Sequence, residues 1–150
     1  MTKLQAIRWF ANQLTDDSVT IARKRLDRNW GMNLSPWSKT PQLSIPVDLR
    51  TNDDMDKQFR RNIVSRCKLT QGFSNVTLAI LHEFGHWETR SIFNMIAYRK
   101  IANVANNMQE YMENPYERIA TEWAICWLQV PQNRQLAKEF EKKYFGYGEK

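Results

Sequence analysis

The chain has 150 residues, 42% hydrophobic and 25% charged, with five Gly and five Pro. That length suits one domain, residues 1–150, with its own core, and the composition excludes a fibrous or disordered chain. A net charge of +6 without a long basic tract reads first as solubility, and it also favours an acidic partner.

Leu4, Ile7, Phe10, Ala11 and Leu14 recur at helical spacing and predict a first helix from about residue 3 to 14. Val19, Ala22, Leu26 and Trp30 predict a second, ending at Gly31 and carrying Arg23, Lys24, Arg25 and Arg28 on its outer face. Leu43 to Leu49 alternates strictly and predicts a strand, with Pro46 favouring an edge position. Thr51 to Asp54 reads as a polar connection, and a further strand is expected within Asn62 to Leu69. Ser74 or Asn75 caps a helix running from about Val76 to Thr89, and a long helix is expected from Ile92 to Met112. Asn114 and Pro115 mark a restart, as N-cap and first helical residue, of a helix reaching about Leu128. Pro131 closes it, and a last helix covers about Gln135 to Tyr144. The fold expected is α+β: a helix-rich, minimal zincin-like domain with a small sheet of two to four strands beside the helix that carries the two histidines.

No leader or membrane span is legible; Arg8 interrupts the N-terminal apolar run, and Leu78 to Leu81 is far too short for a bilayer. Cys67 and Cys126 have no metal-site or redox spacing and read as free, buried thiols. A cytoplasmic location is expected.

His82-Glu83-Phe84-Gly85-His86 fits H-E-x-x-H, and these are the only two histidines in the chain. Random placement would give that spacing, with Glu after the first His, in roughly one such sequence in a thousand. Residues four apart share a helix face, so both imidazoles reach one metal ion. Glu83 follows about 100° round the helix, where its carboxylate can take a proton from water. Zinc in such a site takes a third protein ligand. No histidine remains, so Glu88, Glu110, Glu113, Glu117 and Glu122 are the acidic candidates. Glu117 lies at the edge of the apolar arc Tyr116, Ile119, Ala120, Trp123, Ala124 and Trp127, while Glu122 faces away. Glu117 is the first choice and Glu113 the alternative. Tyr116 or Tyr111 could stabilise an oxyanion.

His82 to His86, followed by Glu117 within Tyr116-Glu117-Arg118-Ile119-Ala120-Thr121-Glu122-Trp123-Ala124 and an ending at Leu128-Gln129-Val130-Pro131, resembles the ImmA/IrrE group of metallopeptidases over residues 70–131. Thr121 stands where that group often has Asn, and Gln129-Val130 where it has Leu-Met. The resemblance implies a zinc peptidase, with an origin on phages or mobile elements and a transcriptional repressor as one kind of substrate. The residues themselves lead to a zinc-dependent peptidase of narrow specificity, with Glu83 as base, acting on a cytoplasmic regulator that is acidic or DNA-bound. The rival is a catalytically silent zincin-fold module that captures a host protein or nucleic acid, using Trp30, Trp37 and Trp87 if they are exposed. Direct DNA binding through the Arg23 to Arg28 helix has no helix-turn-helix or zinc-finger pattern behind it.

Overall fold

The computed structural model describes residues 1–16, 18–24, 33–34, 39–46, 53–92 and 113–146. Helix α1, Lys3–Leu14, opens on a capping box: Thr2 Oγ1 accepts from the Gln5 backbone N–H, and Gln5 Oε1 accepts from that of Thr2. Its buried stripe of Ala6, Ile7, Phe10, Ala11 and Leu14 follows the expected period.

The next segment departs from expectation. Thr20–Lys24 is a strand, β1, where a helix was expected, and residues 25–32 lie outside the described residues. Val19, Thr20 and Ile21 are three β-branched residues in a row, which favours extended backbone once a partner strand is available. Gln42–Pro46, β3, is that partner, pairing in parallel from Thr20 with Gln42 to Lys24 with Pro46. The two-residue β2, Asn33–Leu34, pairs antiparallel on the other side of β3. The order is therefore β1-β3-β2, and β3 is central rather than at the edge. Pro46 is its last residue, so the missing N–H falls where the ladder ends.

Asp53–Arg66 is a helix, α2, and Lys68–Gly72 is a 3-10 turn, so no strand lies within Asn62 to Leu69. Phe59 and Ile63, four apart and both buried, give α2 its inward face. Asp53 and Asp54, read as a connection, belong to its first turn. Asn75–Glu88 is α3, capped by Ser74, whose Oγ accepts from the Thr77 N–H. A short 3-10 turn, Arg90–Ile92, follows. The long helix expected to Met112, with Glu110 and Tyr111, lies outside the described residues. Helix α4, Pro115–Gln129, has the expected cap, with Asn114 Oδ1 accepting from the Tyr116 N–H at 2.9 Å. Pro131 opens α5, Pro131–Phe145, four residues before the expected start.

Helix α3 is the centre of the molecule. Its residues from Thr77 through Trp87 are all buried, with α4 as its main neighbour and the sheet beside it through β2. Leu43 and Ile45 of β3 join the same core. Helices α1 and α5 cover another side, where the Phe10 and Phe140 rings stack 4.5 Å apart. Such a pair contributes about 1 kcal/mol beyond its burial. Two side chains fix the start of α3. Arg60 of α2 donates to the carbonyls of Gln71 and Phe73 and to Asn75 Oδ1. Glu141 of α5 accepts from the Ser74 N–H at 2.6 Å and from the Thr77 hydroxyl at 2.7 Å.

The architecture is α+β, helix-rich with a small sheet. Among the described residues no helix is long and apolar enough to cross a membrane. Both cysteines are free, but Cys67 is half-buried and Cys126 exposed, so neither is the fully buried thiol expected. Trp87 is only 2% exposed and is no part of a surface, and Trp30 and Trp37 lie outside the described residues.

Candidate metal centre

His82 and His86 stand one turn apart on α3, with ring centroids 4.8 Å apart. Glu117 comes from the first turn of α4. Its Oε2 lies 2.9 Å from His82 Nε2 and 2.8 Å from His86 Nε2. All three groups are buried, and one ligand atom from each falls within 4.8 Å of the others. Glu117 is not at the edge of the buried face of α4 but in the middle of it: Tyr116, Glu117, Ala120, Thr121, Ala124, Ile125 and Leu128 point inward, whereas Trp123 and Trp127 are only half-buried. The aromatic residues drew the sequence-based arc too far round the helix; large rings can shield the side of a helix while small residues fill its contact face.

The close approach of α3 and α4 depends on Gly85. A Cβ there would lie 2.3 Å from the Ala120 carbonyl oxygen and 2.9 Å from Ala120 Cα, so no side chain fits without separating the helices. Gly85 thus brings the His-bearing helix against the Glu117-bearing one.

Beyond the three converging groups lies Thr121, one turn after Glu117 and fully buried. Its Oγ1 is 3.0 Å from His82 Nδ1. A hydroxyl can donate or accept, so it serves either tautomer of His82. Phe59 meets the His82 ring edge to face at 5.4 Å, and Tyr116 stacks on His86 at 4.2 Å. His86 Nδ1 is buried without a hydrogen-bond partner among the described residues. No role at the site was read from sequence for Thr121, Phe59 or Gly85. The signal for Thr121 was present, since it follows Glu117 at i+4.

The electrostatics are those of a buried trio in direct contact. Burial pushes the Glu117 carboxyl upward, but the attraction of His86 and hydrogen bonds from both imidazoles outweigh it and hold the group well below the usual carboxylate range. Burial lowers His86 below its ordinary value despite Glu117 beside it, so its ring is neutral near pH 7.

These residues fit a zinc-type ion. Bonds of about 2.0–2.1 Å to tetrahedral donors place the donors roughly 3.3 Å apart. The separations at Glu117 are 2.8 and 2.9 Å, a little under that spacing, and all three ligand atoms lie within 4.8 Å of one another. Glu83 is buried beside the trio in sequence, at 4% exposure, and its carboxylate is not one of the three converging groups. The other acidic candidates among the described residues stand apart: Glu88 and Glu113 are exposed, and the Glu122 side chain is 51% exposed, 3.6 Å from Arg66. Compared with protein-family models, curated proteins and solved structures, the chain finds no match.

Proposed function

We propose that this chain is a zinc-dependent metallopeptidase of narrow specificity, with a zincin-like centre held by His82, His86 and Glu117. The observation that carries the reading is the meeting of both histidine Nε2 atoms on one buried carboxylate oxygen, directly beside a glutamate in sequence. Bound there, zinc would supply Lewis acidity toward a water and toward the scissile carbonyl. Glu83 acts as general base: its carboxylate takes a proton from the attacking water and passes it to the amine nitrogen as the C–N bond breaks. Thr121 orients His82. Tyr116 holds the His86 ring by stacking, and its proposed further role is to stabilise the oxyanion. The substrate expected is a cytoplasmic regulator, such as a transcriptional repressor, as the likeness to ImmA/IrrE peptidases implies.

A silent binding module remains the second reading, because Glu117 Oε2 already bridges both imidazoles without a cation. Glu83 separates the two, since a purely structural site has no use for a base at that position. Zinc-loaded protein incubated with casein and with lysate of its own cellular context should leave casein intact and cleave few proteins. Glu83→Gln should reduce that cleavage by roughly 10²–10⁴-fold. Cleavage surviving unchanged in Glu83→Gln, or no cleavage with full biological activity in that variant, would reject the peptidase.

A further inference from the structure

A groove of about 650 Å³ runs between the Lys68–Gly72 turn and the start of α5. Its walls include Leu69, Phe73, Pro131, Arg134, Gln135 and Lys138. Two features mark it. Leu69 is 42% exposed within it, and Val130, next to Pro131, is 41% exposed. These are two of the four large hydrophobic side chains that the described residues leave exposed. The groove also carries two cations and no carboxylate.

Both cations are fixed in place yet not neutralised. Arg134 donates to the carbonyls of Leu128 and Gln129 at 2.9 and 3.1 Å. Lys138 donates to the Gly72 carbonyl, and its Nζ sits 4.5 Å above the Phe73 ring. Their partners are neutral, and neither forms an ion pair among the described residues. Two immobilised positive charges beside exposed aliphatic surface give a preorganised site, in which little side-chain entropy is lost on binding.

We propose that this groove docks an acidic peptide segment bearing an aliphatic side chain. The aliphatic group covers Leu69 and Val130, and the carboxylates face Arg134 and Lys138. A peptide fits better than a nucleic acid because Phe73, the aromatic ring of the groove, is buried beneath Lys138 and offers no open face for a base. The groove adjoins the beginning of α3, and His82 lies seven residues beyond Asn75, roughly 10 Å along the helix axis. Docking is therefore separate from the histidine centre and does not depend on the peptidase reading.

The test is fluorescence anisotropy of the full chain with a labelled peptide of alternating Glu and Leu, in the wild type and in Glu83→Gln. Both should bind it equally, and binding should weaken as salt rises. A peptide with Lys in place of Glu should not bind. Lys138→Gln should weaken binding about fivefold, and Gln135→Glu, which adds a negative charge at an exposed position, by a similar factor. Gln135→Glu breaks none of the hydrogen bonds described and keeps the test valid should Lys138→Gln unfold; circular dichroism verifies both variants. Unchanged affinity in a folded variant, equal binding of the Lys peptide, or displacement of the acidic peptide by oligothymidylate from a site sensitive to the same substitutions would overturn the proposal, the last in favour of a nucleic-acid surface.

Discussion

Thr121 holds Nδ1 of His82 at 3.0 Å, whereas Nδ1 of His86 has no such partner among the described residues. To present its Nε2 lone pair to a metal, a histidine carries its proton on Nδ1, and the group receiving that proton sets the ring's orientation and basicity. Thr121→Val keeps the volume and removes the acceptor. It should lower zinc affinity about 10–100-fold, while Thr121→Ser should stay close to the wild type; competition against a chromophoric chelator measures both. Equal affinity in Thr121→Val would mean that Thr121 has no part in holding the metal. The meeting of the two histidines was legible because the helical period alone puts positions 82 and 86 on one face. Glu117 was legible because a carboxylate among apolar neighbours needs a partner. Thr121 was harder to see, since a buried threonine at helical spacing is ordinarily a small core residue.

At the level of elements, the centre depends on how closely α3 and α4 approach at Gly85. Gly85→Ala would drive a methyl into the Ala120 backbone, and backbone cannot rotate away as a side chain can. The expected loss is about 3 kcal/mol, read as a lower urea midpoint, together with weaker zinc binding because His86 and Glu117 sit on the two separated helices. Stability equal to the wild type would show that the helices have slack there. The helices with clear caps and long apolar stripes, α1, α3 and α4, were readable from local signals: Ser74 and Asn114 each satisfy a backbone N–H at a helix start. The sheet was not. β1 is extended because β3 lies beside it, and that pairing joins residues 22 positions apart, from Thr20 to Gln42. Within Asn62 to Arg66, helical and extended readings compete over a short span, and the burial of Phe59 and Ile63 on one helix face decides for the helix.

For the whole molecule, the fold places a helix buried from Thr77 through Trp87 between a small sheet and three other helices, and the two histidines project from it toward a carboxylate supplied 35 residues after His82. A buried cluster of this kind is explained either by a cation or by its own hydrogen bonds, and the two explanations differ in one measurable quantity. Isothermal titration of chelator-treated protein with zinc, paired with Glu117→Ala, is the most direct test. Wild type should bind one zinc per chain tightly, and Glu117→Ala should lose at least about 100-fold in affinity, since one of three protein ligands is gone. Wild-type protein that takes up no zinc, or Glu117→Ala that takes it up with undiminished affinity, would contradict the metal centre described.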